Sequence, residues 1–230
     1  MTAHRAVVLA DGDPPSRAGL DAAWPGWADD VDLVIAADGG ARLAAALDLT
    51  IDAWVGDGDS LGPDGLDELR RQGVPIELSE IDKDASDAEL GLLAAIRAGA
   101  TQVTVLGALG GPRLDHALAN IQLLAHPAAA GVMVQLLDPL ARVRLLAASG
   151  DEPGGVRLGL SGRPGEVVSL LPLGDVVGVT TEGLRYPLRD EDLPAGPARG
   201  LSNVREGPTA SVTLRRGRLL VVEVPATLPG

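Results

Sequence analysis

The chain has 230 residues, of which 46% are hydrophobic and 22% are charged, so it can bury a substantial core. Its 32 acidic and 19 basic residues give a net charge of −13, which argues against a surface for nucleic acid or an anionic membrane. The absence of cysteine excludes disulfides and thiolate zinc sites. No apolar run approaches the length of a membrane span, and residues 1–13 hold too short an apolar stretch for a signal peptide. The sequence therefore predicts a soluble, cytoplasmic protein.

Short apolar runs alternate with helix-forming segments through the first 138 residues. Strands are predicted at residues 6–10, 33–37, 53–55, 75–78, 103–106 and 132–137. Helices are predicted at residues 41–47, 63–72 and 86–97, and in the segment after residue 113. This alternation indicates an α/β domain with a mainly parallel sheet.

Local signals refine several of these elements. Ser86 and Glu89 match a capping box, which predicts that a helix begins there. Trp24 and Trp27 flank a Pro-Gly turn, where burial is favoured over stacking on a ligand. The helix after residue 113 has an apolar face at helical spacing, formed by Leu114, Leu118, Ile121 and Ala125.

The pattern changes after residue 138. Closely spaced strand-like runs follow at residues 143–146, 156–160, 167–171, 176–181, 211–214 and 219–224. Their spacing and the Gly and Pro residues between them predict an antiparallel all-β sandwich or barrel. We therefore expect two domains, 1–138 and 139–230, with a long loop over residues 186–203.

Two acidic segments follow apolar runs of the first domain. They read Gly56-Asp57-Gly58-Asp59-Ser60 and Asp82-Lys83-Asp84-Ala85-Ser86-Asp87. Five carboxylates in two short turns suit a hard divalent cation such as Mg²⁺, which binds through a few carboxylates and substrate phosphates. Lys83 is the only lysine in the chain, and an ammonium commonly serves phosphate sites as a point charge. The alternative is two solvated acidic turns, since Asp and Gly are common turn residues.

A third strand end carries Asp38-Gly39-Gly40. Ligands gather at the carboxyl ends of parallel strands, so this turn is a candidate nucleotide contact. The alternative is a tight strand-to-helix turn that needs glycine.

A glycine-rich stretch, residues 107–113, leads into the last helix of this domain. Free backbone N–H groups at a helix start bind anions, and the guanidinium of Arg113 adds a fork suited to phosphate. Asp115 lies in the first turn, and His116 and Asn120 are neighbours at positions i and i+4. His116 alone is more typical of a structural histidine, and the loop alone is a weak signal.

These motifs occur in the order seen in the thiamine pyrophosphokinase family, which the chain resembles over nearly its whole length. The matching segments are Asp38-Gly39-Gly40, both acidic segments, Gly110-Gly111-Pro112-Arg113-Leu114-Asp115-His116, and Gly200-Leu201-Ser202-Asn203 before the terminal hairpin. Three positions depart from the family pattern. Gly58 replaces an apolar or aromatic residue, Ser86 replaces threonine, and Pro112 is an additional residue before Arg113.

The resemblance implies Mg²⁺-dependent transfer of a pyrophosphoryl group from ATP to the hydroxyl of thiamine, which gives thiamine diphosphate and AMP. Such transfer requires in-line positioning and neutralisation of oxygens that gain charge. The metal ligands implied are Asp57, Asp59 and Asp87. Lys83 is implied to contact the phosphates, with Arg113 assisting.

The remaining implied roles divide between nucleotide and acceptor. The residues that line the nucleotide site are Asp38, Gly39, Gly40, Asp82, Asp115, His116 and Asn120. Either Asp82 or Asp84 accepts the proton of the hydroxyl, and the residues do not decide between them. Ser202 and Asn203 are the implied thiamine contacts, in a site between the β domain of one subunit and the α/β domain of its twin. A homodimer is therefore implied.

Two other functions are compatible with the motifs. The first alternative is a related pyrophosphokinase activity that uses another hydroxymethyl acceptor, such as a pterin. The second alternative is a regulator that binds a nucleotide or thiamine without turnover. The acidic residues argue against it, because ligand binding alone gives little reason to gather so much negative charge near ATP.

Overall fold

The computed structural model describes residues 4–79 and 85–226, and the chain divides into two compact units, Met1–Pro139 and Leu140–Gly230. We call them the α/β unit and the β unit. The predicted fold class is confirmed, because helices flank a parallel sheet in the first unit and the second is built from antiparallel strands.

The sheet of the α/β unit is parallel wherever its strands pair. Its strands are β1 Arg5–Leu9, β2 Leu33–Ala37, β3 Ala53–Gly56, β4 Ile76–Leu78, β5 Gln102–Leu106 and β6 Met133–Asp138. They lie in the order β6-β5-β1-β2-β3-β4. The chain first proceeds from β1 towards β4 and then returns to β5, so the order reverses beside β1. Ligands of such sheets bind outside the carboxyl ends of the strands near this reversal.

The described helices are close to those predicted. They are α1 Arg17–Ala23, α2 Ala41–Ala46, α3 Gly62–Arg71, α4 Asp87–Arg97 and α5 Leu114–Leu123, with 3-10 turns at Asp38–Gly40 and Pro127–Ala129. The Ser86 hydroxyl accepts the Glu89 amide N–H at 3.2 Å, which confirms the predicted start of α4. The Glu89 carboxylate lies 3.4 Å from Nε2 of His126. Helix α1 was not among the predicted elements.

Two predictions about apolar residues had different outcomes. Trp24 and Trp27 are buried against α1 and α2, as expected, and their indole N–H groups donate at 2.8 Å to the Asp138 carbonyl and the Asp21 carboxylate, respectively. In contrast, no residue of α5 is buried, and Leu114 is 72% exposed. Spacing predicted the helix correctly, but its apolar face is not part of the core of this unit.

The β unit is a sandwich of two antiparallel sheets. Its strands are β7 Ala141–Ala148, β8 Val156–Ser161, β9 Val167–Pro172, β10 Val176–Glu182, β11 Glu191–Leu193, β12 Asn203–Val204, β13 Thr209–Leu214 and β14 Gly217–Val224. One sheet has the order β12-β9-β14-β7 and the other β11-β10-β13-β8. Leu170 and Val221 of the first pack with Val179 and Val212 of the second in one apolar core.

The segment predicted as a long loop is partly ordered into strands. Strand β11 lies within residues 186–203, and Asn203 begins β12. The segment is rich in Pro and Gly, which favours a loop assignment, and the two strands have only three and two residues. Strands this short leave no recognisable pattern in the sequence. None of the helices within residues 4–79 and 85–226 has the length and apolar character needed to span a membrane.

Candidate active site

Asp38 directly follows β2 and has a backbone conformation that is uncommon for residues with a side chain. Its φ angle is +44°, and it is completely buried. The indole N–H of the buried Trp54 donates to the Asp38 carbonyl at 3.0 Å and fixes this peptide. Backbone strain of this kind persists only where the surroundings enforce it, and it is enriched at functional sites.

Gly39 and Gly40 allow the turn to approach the end of β1. A Cβ on Gly40 would lie 2.0 Å from the Leu9 carbonyl oxygen, and one on Gly39 would lie 2.2 Å from Oδ2 of Asp11. The contact at Gly40 is with backbone and excludes a side chain, whereas the contact at Gly39 is with the end of an exposed side chain that can move. Packing therefore requires glycine at position 40, in agreement with the alternative interpretation of this turn.

Three carboxylates meet where β2 and β3 end. The strands are adjacent and parallel, with Ala37 opposite Val55, so the residues after them share one edge of the sheet. Asp38, Asp57 and Asp59 each offer a carboxylate oxygen within 4.8 Å of the others. We call these three residues the acidic cluster. Oδ1 of Asp57 accepts the Asp59 amide N–H at 3.1 Å, which tightens the turn.

Ser60 connects this cluster to a cation. Its amide N–H donates to Oδ2 of Asp38 at 3.3 Å, and its hydroxyl donates to Oδ1 of Asp59 at 3.1 Å. Its carbonyl accepts a hydrogen bond from the guanidinium of Arg42, which also lies 3.5 Å from the Asp11 carboxylate. Ser60 thereby positions two carboxylates and holds Arg42 beside them.

The carboxylates of Asp38 and Asp59 differ in proton affinity. Burial raises the pKa of Asp38 above 3.8, and the nearby Asp59 and Asp87 raise it further, against the opposing hydrogen bonds from Ser60. The hydrogen bond with Asp38 lowers the pKa of Asp59 below 3.8, and the Ser60 hydroxyl adds to this effect. Asp38 therefore binds a proton more readily than Asp59 does.

The cluster has the donor set of a hard-cation site. Within residues 4–79 and 85–226, Oδ1 of Asp38 is buried and has no hydrogen-bond partner, and a buried carboxylate oxygen left unpaired is energetically costly. A divalent cation would supply the missing partner and relieve the repulsion among the three carboxylates. Carboxylate oxygens are the ligands that Mg²⁺ prefers. The residues present therefore fit such an ion.

The second acidic segment is described only at its end. Asp87 begins α4, and its charge acts on Asp38, so it lies near the cluster although it is not one of the three grouped carboxylates. The predictions for Asp82, Lys83 and Asp84 fall outside the described residues.

Two residues of the glycine-rich loop and α5 that were predicted to bind the nucleotide, Arg113 and Asn120, are hydrogen-bonded within the protein. Arg113 lies against Asp115, with Nε 3.2 Å from Oδ1 and a second bond to Oδ2. This pair lowers the pKa of Asp115 to about 2. Asn120 donates to the Ala108 carbonyl at 3.0 Å and so anchors the loop, while His116 is exposed. The guanidinium fork predicted to bind phosphate is thus occupied by a neighbouring carboxylate.

A separate pocket lies within the β unit. It has a volume of about 150 Å³, and its lining includes Ser202, Asn203 and Tyr186. The Asn203 side chain binds the Tyr186 backbone on both sides, donating to its carbonyl at 2.6 Å and accepting its amide N–H at 3.0 Å. Asn203 is therefore committed to positioning Tyr186, whose side chain is 58% exposed.

Sequence reasoning missed several members of these sites. The sequence predicts a nucleotide contact for Asp38, and the structure groups its carboxylate with those of Asp57 and Asp59, as the position after a strand adjacent to β3 could have indicated. Ser60 lies in the first acidic segment and Arg42 lies in no motif, and only the folded turn reveals their contacts. Tyr186 could have been found as the chain's only tyrosine, within a segment that the sequence describes merely as a loop.

The fold and the acidic cluster define a class of protein: an α/β unit with three grouped carboxylates at its strand ends, followed by a β-sandwich with its own pocket. Two family descriptions match the chain. They are the catalytic domain of thiamin pyrophosphokinase, over residues 26–136, and its vitamin B1 binding domain, over residues 157–219. The chain belongs to the thiamine pyrophosphokinase family, and it is an enzyme of that family.

Individual relatives agree with this assignment. Thiamine pyrophosphokinase of Bacillus subtilis strain 168 is 24% identical over 199 residues, which cover 86% of this chain and 89% of the relative. The crystal structure of a Bacillus subtilis thiamine pyrophosphokinase matches with a TM-score of 0.81 at 21% identity, covering 97% of this chain and all of the other. The crystal structure of a thiamin pyrophosphokinase family protein from Enterococcus faecalis matches with a TM-score of 0.78 at 24% identity, covering 98% of this chain and 100% of the other. At these identities the structural matches establish the fold.

Proposed function

We propose that the chain transfers a pyrophosphoryl group from ATP to the hydroxyl of thiamine in the presence of Mg²⁺, yielding thiamine diphosphate and AMP. The observation that carries this proposal is the grouping of Asp38, Asp57 and Asp59, together with the buried Oδ1 of Asp38, which has no hydrogen-bond partner among the described residues. A buried carboxylate oxygen without a partner destabilises the fold, and a cation bound together with a polyphosphate would supply that partner.

In this proposal the acidic cluster binds the metal, with Asp87 contributing charge from the start of α4. The bound metal would neutralise the polyphosphate oxygens that gain charge as AMP leaves. Ser60 keeps Asp38 and Asp59 in place before the substrate arrives, through its amide and its hydroxyl. Such preorganisation reduces the reorganisation needed during transfer.

The cationic groups have distinct proposed roles. Arg42 lies beside the cluster and contacts Ser60, so it stabilises the acidic turn. Lys83 contacts the phosphates, a role that rests on sequence alone. The guanidinium of Arg113 is hydrogen-bonded to both carboxylate oxygens of Asp115. Arg113 can therefore bind a phosphate only after it releases Asp115. Gly39 and Gly40 are proposed nucleotide contacts because of their place at the end of β2, a role that rests on sequence alone.

The β-unit pocket is the proposed contact for thiamine. Three of the four aromatic residues of the chain are buried tryptophans, whereas Tyr186 offers an exposed ring in this pocket. The cationic thiazolium of thiamine is suited to such a ring through cation–π attraction. Ser202 supplies a hydroxyl, and Asn203 acts by holding Tyr186. The homodimer and the cytoplasmic location remain predictions.

The decisive experiment incubates the protein with ATP, Mg²⁺ and thiamine and separates AMP from ADP. AMP and thiamine diphosphate in equal amounts are expected. ADP in place of AMP would indicate an ordinary kinase. AMP formed with a hydroxymethylpterin but not with thiamine would favour the other acceptor class, and binding of both ligands without AMP would favour a regulator.

Lys83→Arg tests the role of the lone lysine independently. The variant keeps the positive charge but replaces a compact ammonium with a planar guanidinium. We expect a large loss of turnover with unchanged thiamine binding, measured by AMP release and by calorimetry. Full turnover in this variant would exclude a specific phosphate contact for Lys83.

A further inference from the structure

The β unit contains a buried ionic network centred on Glu223. This carboxylate is completely buried on β14 and accepts hydrogen bonds from three arginines. Arg142 donates at 2.9 and 2.8 Å, Arg144 at 2.6 Å and Arg205 at 2.7 Å. A carboxylate with this many guanidinium donors stays charged in the interior because each of its oxygens is paired.

Each of these arginines also reaches β8, which belongs to the opposite sheet. Arg144 donates to the Gly159 carbonyl at 3.4 Å, Arg205 to the Leu160 carbonyl at 2.8 Å, and Arg142 to the Ser161 carbonyl at 3.1 Å. Strand β8 is at the edge of its sheet, where backbone groups lack a neighbouring strand. The network therefore joins the two sheets of the sandwich.

Arg205 differs from the other two arginines by its place in the chain. It follows β12 directly, and its side chain is fully buried against Glu166, at 3.1 Å, as well as Glu223. Its backbone is also held, because its N–H donates to the Glu166 carbonyl and its carbonyl accepts from Gly165, both at 2.9 Å. Arg205 thus fixes one end of the segment that lines the pocket.

The pocket segment contains a strained residue that depends on such fixed ends. Ser202 has a φ angle of +58°, which is uncommon for a residue with a Cβ. Its N–H donates to the Ser169 hydroxyl at 3.1 Å, and the Gly200 carbonyl accepts from Leu170 at 2.9 Å. A strained conformation persists where neighbouring contacts enforce it. Arg205 supplies the contacts on the C-terminal side.

We infer that Arg205 is a positioning residue for the acceptor: its buried contacts with Glu166 and Glu223 hold Ser202 and Asn203 in the conformation that receives thiamine. This inference rests on the proposed function of the pocket. Arg205 touches no substrate in this role and acts through the three residues before it. Small displacements of groups that contact a substrate are sufficient to weaken binding and turnover.

Arg144 provides a matched control within the same network. It is also buried, binds Glu223 and donates to a carbonyl of β8, but it lies on β7 and not beside the pocket segment. A purely structural role predicts similar consequences for Arg205→Met and Arg144→Met. A positioning role predicts that both variants lose thermal stability, while only Arg205→Met alters the pocket.

The experiment compares steady-state kinetics and hydrogen exchange in the two variants. Arg205→Met should raise KM for thiamine about tenfold while KM for ATP changes little. Arg144→Met should leave both KM values near those of the unaltered protein. Amides of residues 200–204 should exchange faster only in Arg205→Met. If either methionine variant fails to fold, Arg205→Lys and Arg144→Lys carry the same comparison, because lysine keeps the charge but lacks the planar fork.

Three outcomes would overturn the inference: an unchanged KM for thiamine in Arg205→Met, an equal increase in both variants, or equal exchange in residues 200–204. Failure of the proposed function gives a different result, since the unaltered protein would then release no AMP with thiamine. In that case hydrogen exchange still decides whether Arg205 holds the pocket segment.

Discussion

Asp38 in the α/β unit and Glu223 in the β unit are both completely buried carboxylates, and their surroundings are opposite. Glu223 is held by three guanidinium groups, so its pKa is lowered below 4.5 by Arg142 and Arg144 even though burial alone would raise it. Asp38 has one oxygen that finds no hydrogen-bond partner in the described part of the chain, and burial raises its pKa. Glu223 is a structural charge that is neutralised by arginines, whereas in our proposal Asp38 binds a cation.

The same contrast extends to whole units. Residues 1–139 contain 22 acidic and 8 basic residues, a net charge of −14, whereas residues 140–230 contain 10 acidic and 11 basic residues, a net charge of +1. The overall acidity of the chain thus comes from the unit that carries the proposed polyphosphate site. An acidic unit can bind an anionic substrate when a metal ion offsets the charge. Charge in the β unit is instead balanced within the unit and serves packing.

The largest expected effect is on stability, from Glu223→Gln. Removing one partner of a buried ionic network leaves the others uncompensated, so we expect a loss of about 3–5 kcal/mol in the free energy of unfolding. Urea denaturation measures it. Arg157→Gln breaks an exposed pair with Glu182 and should change stability by about 0–1 kcal/mol. Equal effects in the two variants would show that the network does not stabilise the sandwich.

Asp59→Asn should have the largest effect on activity. We expect kcat/KM to fall about 100-fold, since loss of a ligand or a preorganised charge at such sites has effects of this size. Asp64→Asn makes the same charge change at an exposed position of α3 and should retain activity. Both are measured by AMP release at saturating Mg²⁺. Near-normal turnover in Asp59→Asn would contradict the proposal that Asp59 binds the metal.

Asp38→Asn should separate stability from function. Asparagine tolerates a positive φ angle and removes a buried negative charge, so the free energy of unfolding should increase by about 1 kcal/mol. Binding of Mn²⁺, followed by electron paramagnetic resonance, should weaken at the same time. A less stable protein with unchanged Mn²⁺ binding would contradict a cation-binding role for Asp38.

The smallest effect is a difference in pH dependence between the units. The raised pKa of Asp38 means that protons compete with the metal, so cation affinity should fall as pH decreases through a value above 3.8. The lowered pKa of Glu223 means that its stabilising contribution persists above 4.5 and is lost only as pH falls below that value. Because the two shifts have opposite directions, we predict that metal binding weakens at a higher pH than folding, which circular dichroism and Mn²⁺ binding would measure. Simultaneous loss of both would argue against this separation.

Much of the fold could be predicted because local patterns and global structure agree. Residues 33–37 form β2 as predicted, and the Ser86 cap begins α4 at the expected position. The short strands β11 and β12 were missed because they are stabilised by pairing with β10 and β9, which no local pattern reveals. Likewise, the spacing of Leu114 and Leu118 predicts a helix but not which surface contacts it.

For the candidate site, the sequence determined the chemistry: carboxylates at strand ends, glycines where backbones approach closely, and the family to which the chain belongs. Only the tertiary structure decided which groups meet. It brought Asp38 to Asp57 and Asp59, engaged Arg113 with Asp115, and committed Asn203 to the Tyr186 backbone. The physical reason is that composition and local propensity act along the chain, whereas coordination and pairing depend on distances between segments, which are fixed by strand order and core packing.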